Sequence, residues 1–284
     1  MANGFYKRKP EWLRVKLPNG EKALKVIGQL KSHCLNTICA SGLCPNRGEC
    51  WGNGTATFMI CGDICTRGCR FCNVATGRPL PINKDEIADI VGTIKKFGLK
   101  HVVITSVDRD DLSDGGASHW VDVINTIRME CPGVTMETLI PDFGGNDNAL
   151  ERLLSARPEV VSHNMETVRR LTSKIRSRAT YERSLSVIKK IHESGIRSKS
   201  GIMLGLGETL DEVRETMDDL RSVGCDVLTI GQYLQPTEHH YEVQDYIHPD
   251  VFEQLRQIGL SKGFRFVESA PLVRSSYHAE KHLL

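Results

Sequence analysis

The sequence predicts an α/β fold, namely a partial, TIM-like (β/α)6 barrel with an extension at each end of the chain. Short apolar runs alternate with amphipathic helical patterns through most of the 284 residues. Such alternation indicates a parallel sheet with right-handed helical crossovers. Six strand–helix units are too few to close an eight-stranded barrel, and they suit an incomplete one.

The predicted elements follow from periodicity and from helix-end signals. In the first helix, apolar residues recur at helical spacing from Ile87 to Phe97, Lys95 and Lys96 close it, and Gly98 follows as the expected C-cap. The strands are predicted at Thr55–Ile60, His101–Val107, Thr135–Ile140, Val160–His163, Ser200–Leu204 and Val227–Leu234. The helices are predicted at Lys84–Phe97, Ser118–Glu130, Ala149–Ser155, Tyr181–Glu193, Leu210–Val223 and Asp250–Lys262.

One structural domain is expected. Residues 1–54 form an N-terminal extension with a first group of cysteines, residues 55–262 form the barrel, and residues 263–284 form a C-terminal tail. We expect both appendages to fold across the barrel mouth.

Six of the ten cysteines form two compact triads, one on either side of the first predicted strand. Because a [4Fe–4S] cube has four corners, a site with three thiolates leaves one iron free for another ligand. A disulfide framework is not expected in a chain long enough for a hydrophobic core, with a polar, basic opening segment. Cys131 and Cys225 are expected in the core. The triads are Cys39, Cys44 and Cys50, and Cys65, Cys69 and Cys72.

Spacing alone leaves zinc as an alternative to iron–sulfur chemistry. With Cys34 and Cys61 included, each triad becomes a run of four cysteines, which a tetrahedral zinc ion could use. Structural zinc sites usually pair two short knuckles across a longer spacer, whereas each run here is crowded into one loop. The close spacing of the cysteines within one loop favours an iron–sulfur cluster over a zinc ion. It does not decide whether Cys34 and Cys61 are ligands.

The second triad stands in the segment Cys65-Thr-Arg-Gly-Cys69-Arg-Phe-Cys72. This segment resembles the C-x3-C-x-aromatic-C loop of the radical S-adenosylmethionine superfamily, with Phe71 at the aromatic position beside the cofactor. The resemblance implies three thiolates on a [4Fe–4S] cluster whose fourth iron binds S-adenosylmethionine. In that superfamily an electron from the cluster cleaves the cofactor to methionine and a 5′-deoxyadenosyl radical.

Further segments narrow the resemblance to the lipoyl synthase family, from about Pro10 to Ala279. Ser275, the first serine of the C-terminal motif, is thereby implied to be the fourth ligand of an auxiliary [4Fe–4S] cluster. Cys34 and Cys61 lie outside the family pattern and are implied to be spare thiols. The other auxiliary ligands are implied to be Cys39, Cys44 and Cys50. The matching segments are Cys39-x4-Cys44-Pro-Asn-x3-Cys50, Gly54–Ile60, Ile104–Asp111 and Arg274–Ala279.

The resemblance implies a sulfurtransferase that inserts two sulfur atoms at C6 and C8 of an octanoyl chain on a carrier lysine. It consumes the auxiliary cluster and two molecules of S-adenosylmethionine. The implied partners are an octanoylated lipoyl carrier domain or glycine-cleavage H protein, and an electron donor such as ferredoxin or flavodoxin. The alternatives are another two-cluster radical enzyme, whose auxiliary cluster relays electrons or binds substrate, and a non-catalytic iron–sulfur or zinc protein.

Further candidates lie near the ends of predicted strands, where a parallel (β/α) architecture gathers its functional groups. Ser106 follows the second strand, Asn164 follows the fourth, and Lys199 adjoins the fifth. Asn164 and Lys199 are candidates to bind the carboxylate and hydroxyls of S-adenosylmethionine. The glycine-rich residues 201–208 form either a cofactor wall or a flexible turn. No histidine is assigned to a metal.

Charge and hydropathy exclude other classes of function. The 37 basic residues nearly balance the 35 acidic ones, giving a net charge of +2, so bulk attraction to nucleic acid or to a membrane is not expected. No apolar run approaches the length of a membrane span. Since no disulfide framework is expected either, these features predict a cytoplasmic protein.

Overall fold

The computed structural model describes residues 8–14, 37–41, 44, 46, 50 and 57–283. Apart from short 3-10 turns, the regular secondary structure in this part of the chain consists of parallel strands and helices. The strands are β1 (Thr57–Ile60), β2 (Ile64–Cys65), β3 (Ala75–Thr76), β4 (His101–Ser106), β5 (Thr135–Leu139), β6 (Val160–Ser162), β7 (Arg197–Leu204), β8 (Val227–Gln232) and β9 (Phe266–Ser269). The helices are α1 (Ile38–Ser41), α2 (Glu86–Phe97), α3 (Ala117–Glu130), α4 (Asp147–Ser155), α5 (Arg169–Ile175), α6 (Tyr181–Glu193), α7 (Leu210–Ser222) and α8 (Pro249–Ser261).

Strand–helix units build one large sheet in the order β1–β4–β5–β6–β7–β8–β9, and every neighbouring pair is parallel. β2 and β3 pair separately. In the described sheet β1 and β9 are the edges and do not pair with each other, so the barrel is open. This confirms the predicted α/β class with its partial barrel.

Every predicted strand and helix is present, and the structure adds five short elements, namely α1, α5, β2, β3 and β9. The sequence pattern does not predict α5, because its seven residues include three cations and show little apolar periodicity. β9 lies within the segment predicted as a tail, since only Phe266 and Val267 of its four residues are apolar and they do not form a recognisable apolar run. Gly98 is left-handed (φ 59°) and donates to Ile94 O, which confirms the predicted C-cap of α2.

The core lies between the sheet and its helices, as two hydrophobic clusters. Trp120 of α3 is fully buried in the first and Phe252 of α8 in the second. Burying a large apolar side chain stabilises the fold by roughly 1.5–3 kcal/mol. Cys131 and Cys225 are buried in these clusters, as predicted. None of the helices in the described part of the chain has the length and apolarity that crossing a bilayer requires.

A glycine lets the segment after β9 cross the carboxyl end of β8. A Cβ on Gly231 would overlap the carbonyl oxygen of Val273, so any larger residue would push this segment outward. Next to it, the backbone N–H of Gln232 donates to Pro271 O at 3.1 Å. These contacts bring Ser275 to the mouth of the barrel.

Candidate active site

A cavity of about 280 Å³ opens at the carboxyl end of the sheet, where a parallel (β/α) fold carries its functional groups. Its walls come from the loop after β2, from the ends of β4 and β6, and from the segment after β9. The residues predicted from the sequence that line it are Cys65, Cys69, Phe71, Cys72, Ser106, Asn164 and Ser275.

The loop that carries the second triad is held by backbone hydrogen bonds. Thr66 N–H donates to Asp108 O at 3.1 Å, and Gly77 N–H donates to Cys65 O at 3.0 Å. Within the loop, Cys72 N–H donates to Cys69 O at 3.0 Å, which makes a tight turn. The turn gathers the three thiols on one wall of the cavity.

The environment of these thiols suits a bound metal cluster. Burial, together with the neighbouring thiolates, raises the pKa of Cys65 to about 11 and that of Cys72 to about 12. A metal cation would offset both effects, because it stabilises the thiolate form. The backbone N–H groups of Arg67 and Asp108 each lie 3.4 Å from Cys65 Sγ, and such donors stabilise and tune a cluster thiolate.

Arg67, between the first two cysteines of the triad, fixes the loop to the sheet. Its guanidinium lies 3.1 Å from Asp108, 2.7 Å from Asp110 and 2.8 Å from Asp142, and its side chain is only 4 % exposed. Burial would raise the pKa of Asp142, but Arg67 holds it at about 2, whereas burial raises the pKa of Asp108 to about 6. Arg67 is therefore the buried cation shared by three carboxylates beside the cavity, and Arg178 and Arg183 add one further ion pair each to Asp110 and Asp142.

Arg67→Gln is expected to lower the free energy of unfolding by about 3–5 kcal/mol. The change removes the buried cation that Asp142 shares with two other carboxylates, and the fully buried Asp142 would keep only the partly exposed Arg183 at 3.3 Å. Urea denaturation of the metal-free protein measures the change. Arg70→Gln is the control, since this neighbouring arginine is exposed and makes no salt bridge in the described part of the chain. Equal losses in the two variants would contradict the structural role of Arg67.

The opposite wall offers polar groups that lack partners. Ser106 Oγ and Asn164 Oδ1 are buried without a hydrogen bond, and buried polar atoms in this state are rare. Asn164 Nδ2 donates to Glu166 Oε1 at 3.1 Å, and burial raises the pKa of Glu166. A Cβ on Gly201 would stand 2.9 Å from Asn164 Oδ1, so the glycine leaves room for the amide. These groups fit the hydroxyls and carboxylate of a bound cofactor.

The rest of the glycine-rich segment is a packed turn rather than part of the cavity wall. Gly205 has φ 94°, and a Cβ there would overlap Gln232 and Asp245. Glu208 caps the turn by accepting hydrogen bonds from the backbone N–H groups of Gly205 and Leu206 at 2.5 and 2.9 Å. None of residues 205–208 lines the cavity.

Lys199 requires a correction, because the structure does not bring it to the cavity. Since β7 begins at Arg197 rather than at Ser200, Lys199 lies in the amino-terminal half of the strand. Its Nζ lies 2.8 Å from both carboxylate oxygens of Glu137, and both side chains are fully buried. This geometry gives a buried ion pair inside the barrel and not a contact to S-adenosylmethionine.

Parts of the first triad lie close to Ser275. Cys44 and Cys50 are half-buried and pack against the core, and between them Asn46 Nδ2 donates to Leu272 O at 2.6 Å. Burial lowers the pKa of Arg274, and the nearby Cys44 thiol opposes that shift. The segment around Cys44 therefore meets the residues that precede Ser275.

Helix α1 brings the rest of the first triad towards the second. Asn73 Nδ2 donates to Ser41 O at 2.7 Å, which ties α1 to the loop of the second triad. Ile38 of the same helix lines the cavity. The backbone of Cys39 lies in α1, whereas its side chain and the whole of Cys34 lie outside the described residues.

Cys61 lies apart from the second triad. It is 1 % exposed, has φ 67°, and lines a separate cavity beside α2. Its backbone N–H donates to Glu86 Oε1 at 3.0 Å, and its carbonyl accepts from Arg109 at 3.1 Å. Burial raises the pKa of its thiol to about 12. This placement favours a structural thiol.

A Cys34→Ser, Cys61→Ser double variant is therefore expected to keep two clusters per chain. Iron and sulfide analysis after anaerobic reconstitution measures the content, with the unchanged chain as the control. Loss of about half the iron would mean that one of the two cubes depends on these thiols.

Comparisons with known proteins define first the class and then the family. The family model of the radical SAM superfamily matches residues 59–220, more than half of the chain, so the chain belongs to that superfamily. Lipoyl synthase of Treponema denticola is 61 % identical over 277 residues, which cover 98 % of this chain and 96 % of that protein. Lipoyl synthase of Bacteroides fragilis (strain YCH46) is 58 % identical over 283 residues, which cover 100 % and 98 %. The chain belongs to the lipoyl synthase family.

Solved structures show the same fold at low identity. SuiB of Streptococcus suis bound to S-adenosylmethionine superposes with a TM-score of 0.61 at 12 % identity, covering 80 % of this chain and 54 % of that chain. Methylornithine synthase (PylB) superposes with a TM-score of 0.57 at 14 % identity, covering 75 % and 70 %.

Membership of the lipoyl synthase family confirms several of the predictions made from the sequence. The protein is an enzyme, a radical S-adenosylmethionine sulfurtransferase of lipoyl cofactor synthesis. Its cofactors are [4Fe–4S] clusters, and S-adenosylmethionine is its cosubstrate. It therefore acts on a lipoyl carrier and needs a reductant.

Proposed function

We propose that Cys65, Cys69 and Cys72 hold the radical-generating cluster and that Cys39, Cys44, Cys50 and Ser275 hold the auxiliary one. One observation carries this assignment: the second-triad thiols and Ser275 line the same cavity, with Cys44 beside the neighbouring Arg274. A sulfur donor must lie next to the carbon that the radical activates, so two sites on one cavity suit sulfur insertion better than a distant electron relay.

The cofactors supply the radical and the sulfur, and the protein supplies position and shelter. Arg67 and Asp108 orient the Cys65 thiolate through their backbone N–H groups. Ser106 and Asn164 are proposed to bind S-adenosylmethionine, because both residues line the cavity and their Oγ and Oδ1 atoms are buried without a hydrogen bond. Phe71 is proposed to pack beside that cofactor. Apolar side chains on the same walls, such as Leu139 and Ile140, exclude water from reactive carbon.

The proposed substrate is an octanoyl chain on a lysine of a lipoyl carrier domain or glycine-cleavage H protein, with sulfur inserted at C6 and C8. Ferredoxin or flavodoxin is the proposed kind of electron donor. Oxygen-sensitive clusters held by thiolates suit the reducing cytoplasm, which is the proposed location.

The decisive test is a mass measurement. Reconstituted protein is incubated anaerobically with dithionite, S-adenosylmethionine and an octanoyl-lysine peptide, and the peptide is expected to gain two sulfur atoms. Cofactor cleavage without sulfur insertion would instead indicate a radical enzyme whose auxiliary cluster only relays electrons. A colourless protein that contains zinc would contradict both the sulfur-inserting enzyme and the radical enzyme with a relay cluster.

A further inference from the structure

The segment after Ser275 closes the amino end of the barrel, opposite the active site. Ala279–Leu283 forms a 3-10 turn in which His282 is fully buried. His282 meets the first residues of two strands: its carbonyl accepts from Arg197 of β7, and its ring lies 5.8 Å from the ring of Phe266 of β9. The turn therefore plugs the base of the barrel.

The imidazole of His282 completes the hydrogen bonding of the buried ion pair. A lysine ammonium has three N–H donors. The two carboxylate oxygens of Glu137 lie 2.8 Å from Lys199 Nζ, and His282 Nδ1 lies 3.2 Å from it. To accept this bond, His282 must be neutral with its proton on Nε2, and burial together with Lys199 lowers its pKa to about 3. Removing the acceptor would leave a buried charged donor without a partner.

Ser275 lies at the other end of the same short segment. It lines the active-site cavity and a smaller adjoining cavity of about 90 Å³ between β7 and β8. Ala279, midway along the segment, is fully buried. The segment is thus fixed at its base by His282 and reaches the active site at Ser275.

We propose that His282 is a positioning residue for Ser275: its hydrogen bond to the Lys199–Glu137 ion pair anchors the segment and so holds the serine at the cavity. Without the anchor, residues 274–279 would gain conformational freedom, and that freedom opposes a fixed ligand geometry. The proposal rests on the proposed role of Ser275, whereas the anchor itself can be tested without any cluster.

The test compares His282→Leu, His282→Asn and Lys281→Ala. Leucine removes the acceptor, and asparagine can place its Oδ1 where His282 Nδ1 lies. Lys281 is the adjacent exposed residue and serves as the control. Hydrogen exchange of the metal-free protein, read by mass spectrometry, reports opening of residues 274–279. Reconstituted protein is then assayed with dithionite for 5′-deoxyadenosine and for lipoyl product.

In His282→Leu we expect exchange at residues 274–279 to rise at least about tenfold while β1 keeps its protection. We also expect the 5′-deoxyadenosine rate to stay near that of the unchanged chain while lipoyl product falls at least about tenfold. His282→Asn should restore both readouts, and Lys281→Ala should change neither.

The proposal is overturned by normal exchange or normal lipoyl yield in His282→Leu, by equal loss of protection throughout the barrel, or by failure of asparagine to rescue. Failure of the unchanged chain to make lipoyl product would contradict the proposed function instead, and the exchange measurement would still decide the anchor.

Discussion

Alanine at Cys65, Cys69 or Cys72 is expected to abolish both 5′-deoxyadenosine formation and lipoyl product. The three thiols share one wall of the cavity, and a cube that loses one of three protein ligands cannot keep its position. Anaerobic single-turnover assays of the reconstituted variants, with both products measured by mass spectrometry, check this. Cys131→Ala is the matched control, because this buried core thiol should affect stability and leave both products.

The first triad should behave differently. Cys44→Ala and Cys50→Ala, and likewise Cys39→Ala, are expected to retain cofactor cleavage and to lose sulfur insertion. The reason is that the donors of the radical cluster, including the N–H groups on Cys65 Sγ, are untouched by these changes. Lipoyl product from any first-triad variant would overturn the assignment of the sulfur donor.

Ser275→Ala is expected to lower lipoyl formation by more than about 100-fold, beyond the 10–100-fold typical of residues that only support a metal ligand. The hydroxyl oxygen is a hard ligand beside soft thiolates, so it should be displaced readily when the auxiliary cluster is dismantled. Cofactor cleavage should persist, because within the described residues the loop of the second triad forms no hydrogen bond with Ser275. Product and 5′-deoxyadenosine measured in one reaction check this expectation.

Ser276→Ala is the control for that variant. Ser276 is adjacent in sequence but does not line the cavity, so its substitution should be mild. Equal loss in both variants would indicate a general role for this polar segment, and a Ser275→Ala enzyme with an unchanged rate would remove the serine from the mechanism.

Periodicity predicted the barrel well, because each strand–helix unit signals itself locally. Helix α6 begins and ends at the predicted residues, Tyr181 and Glu193. β9 was not predicted because only two of its four residues are apolar, although pairing with β8 buries Val267. The sequence thus predicts elements with long apolar faces better than elements that depend on a partner strand.

The candidate site was predictable where its functional residues lie close together in the sequence. The second triad is such a case, and its thiols do share the cavity. Arg67 went unnoticed because its partner Asp110 lies 43 residues away, and nothing local marks the pair. Lys199 was misplaced because a position near either end of a strand was treated as a position at the mouth, whereas this lysine lies near the amino end of β7, inside the barrel.

Backbone hydrogen bonds to three other segments of the chain help to hold the loop of the second triad. Thr66 and Arg70 donate backbone hydrogen bonds to Asp108 and Ile175, and Arg70 O accepts from Tyr241. These hydrogen bonds offset part of the conformational-entropy cost of ordering the loop, so cluster binding has less of that cost to offset. If oxidation removed the iron, the same hydrogen bonds would hold the loop close to its cluster-binding conformation, and a new cluster could be installed without unfolding the enzyme.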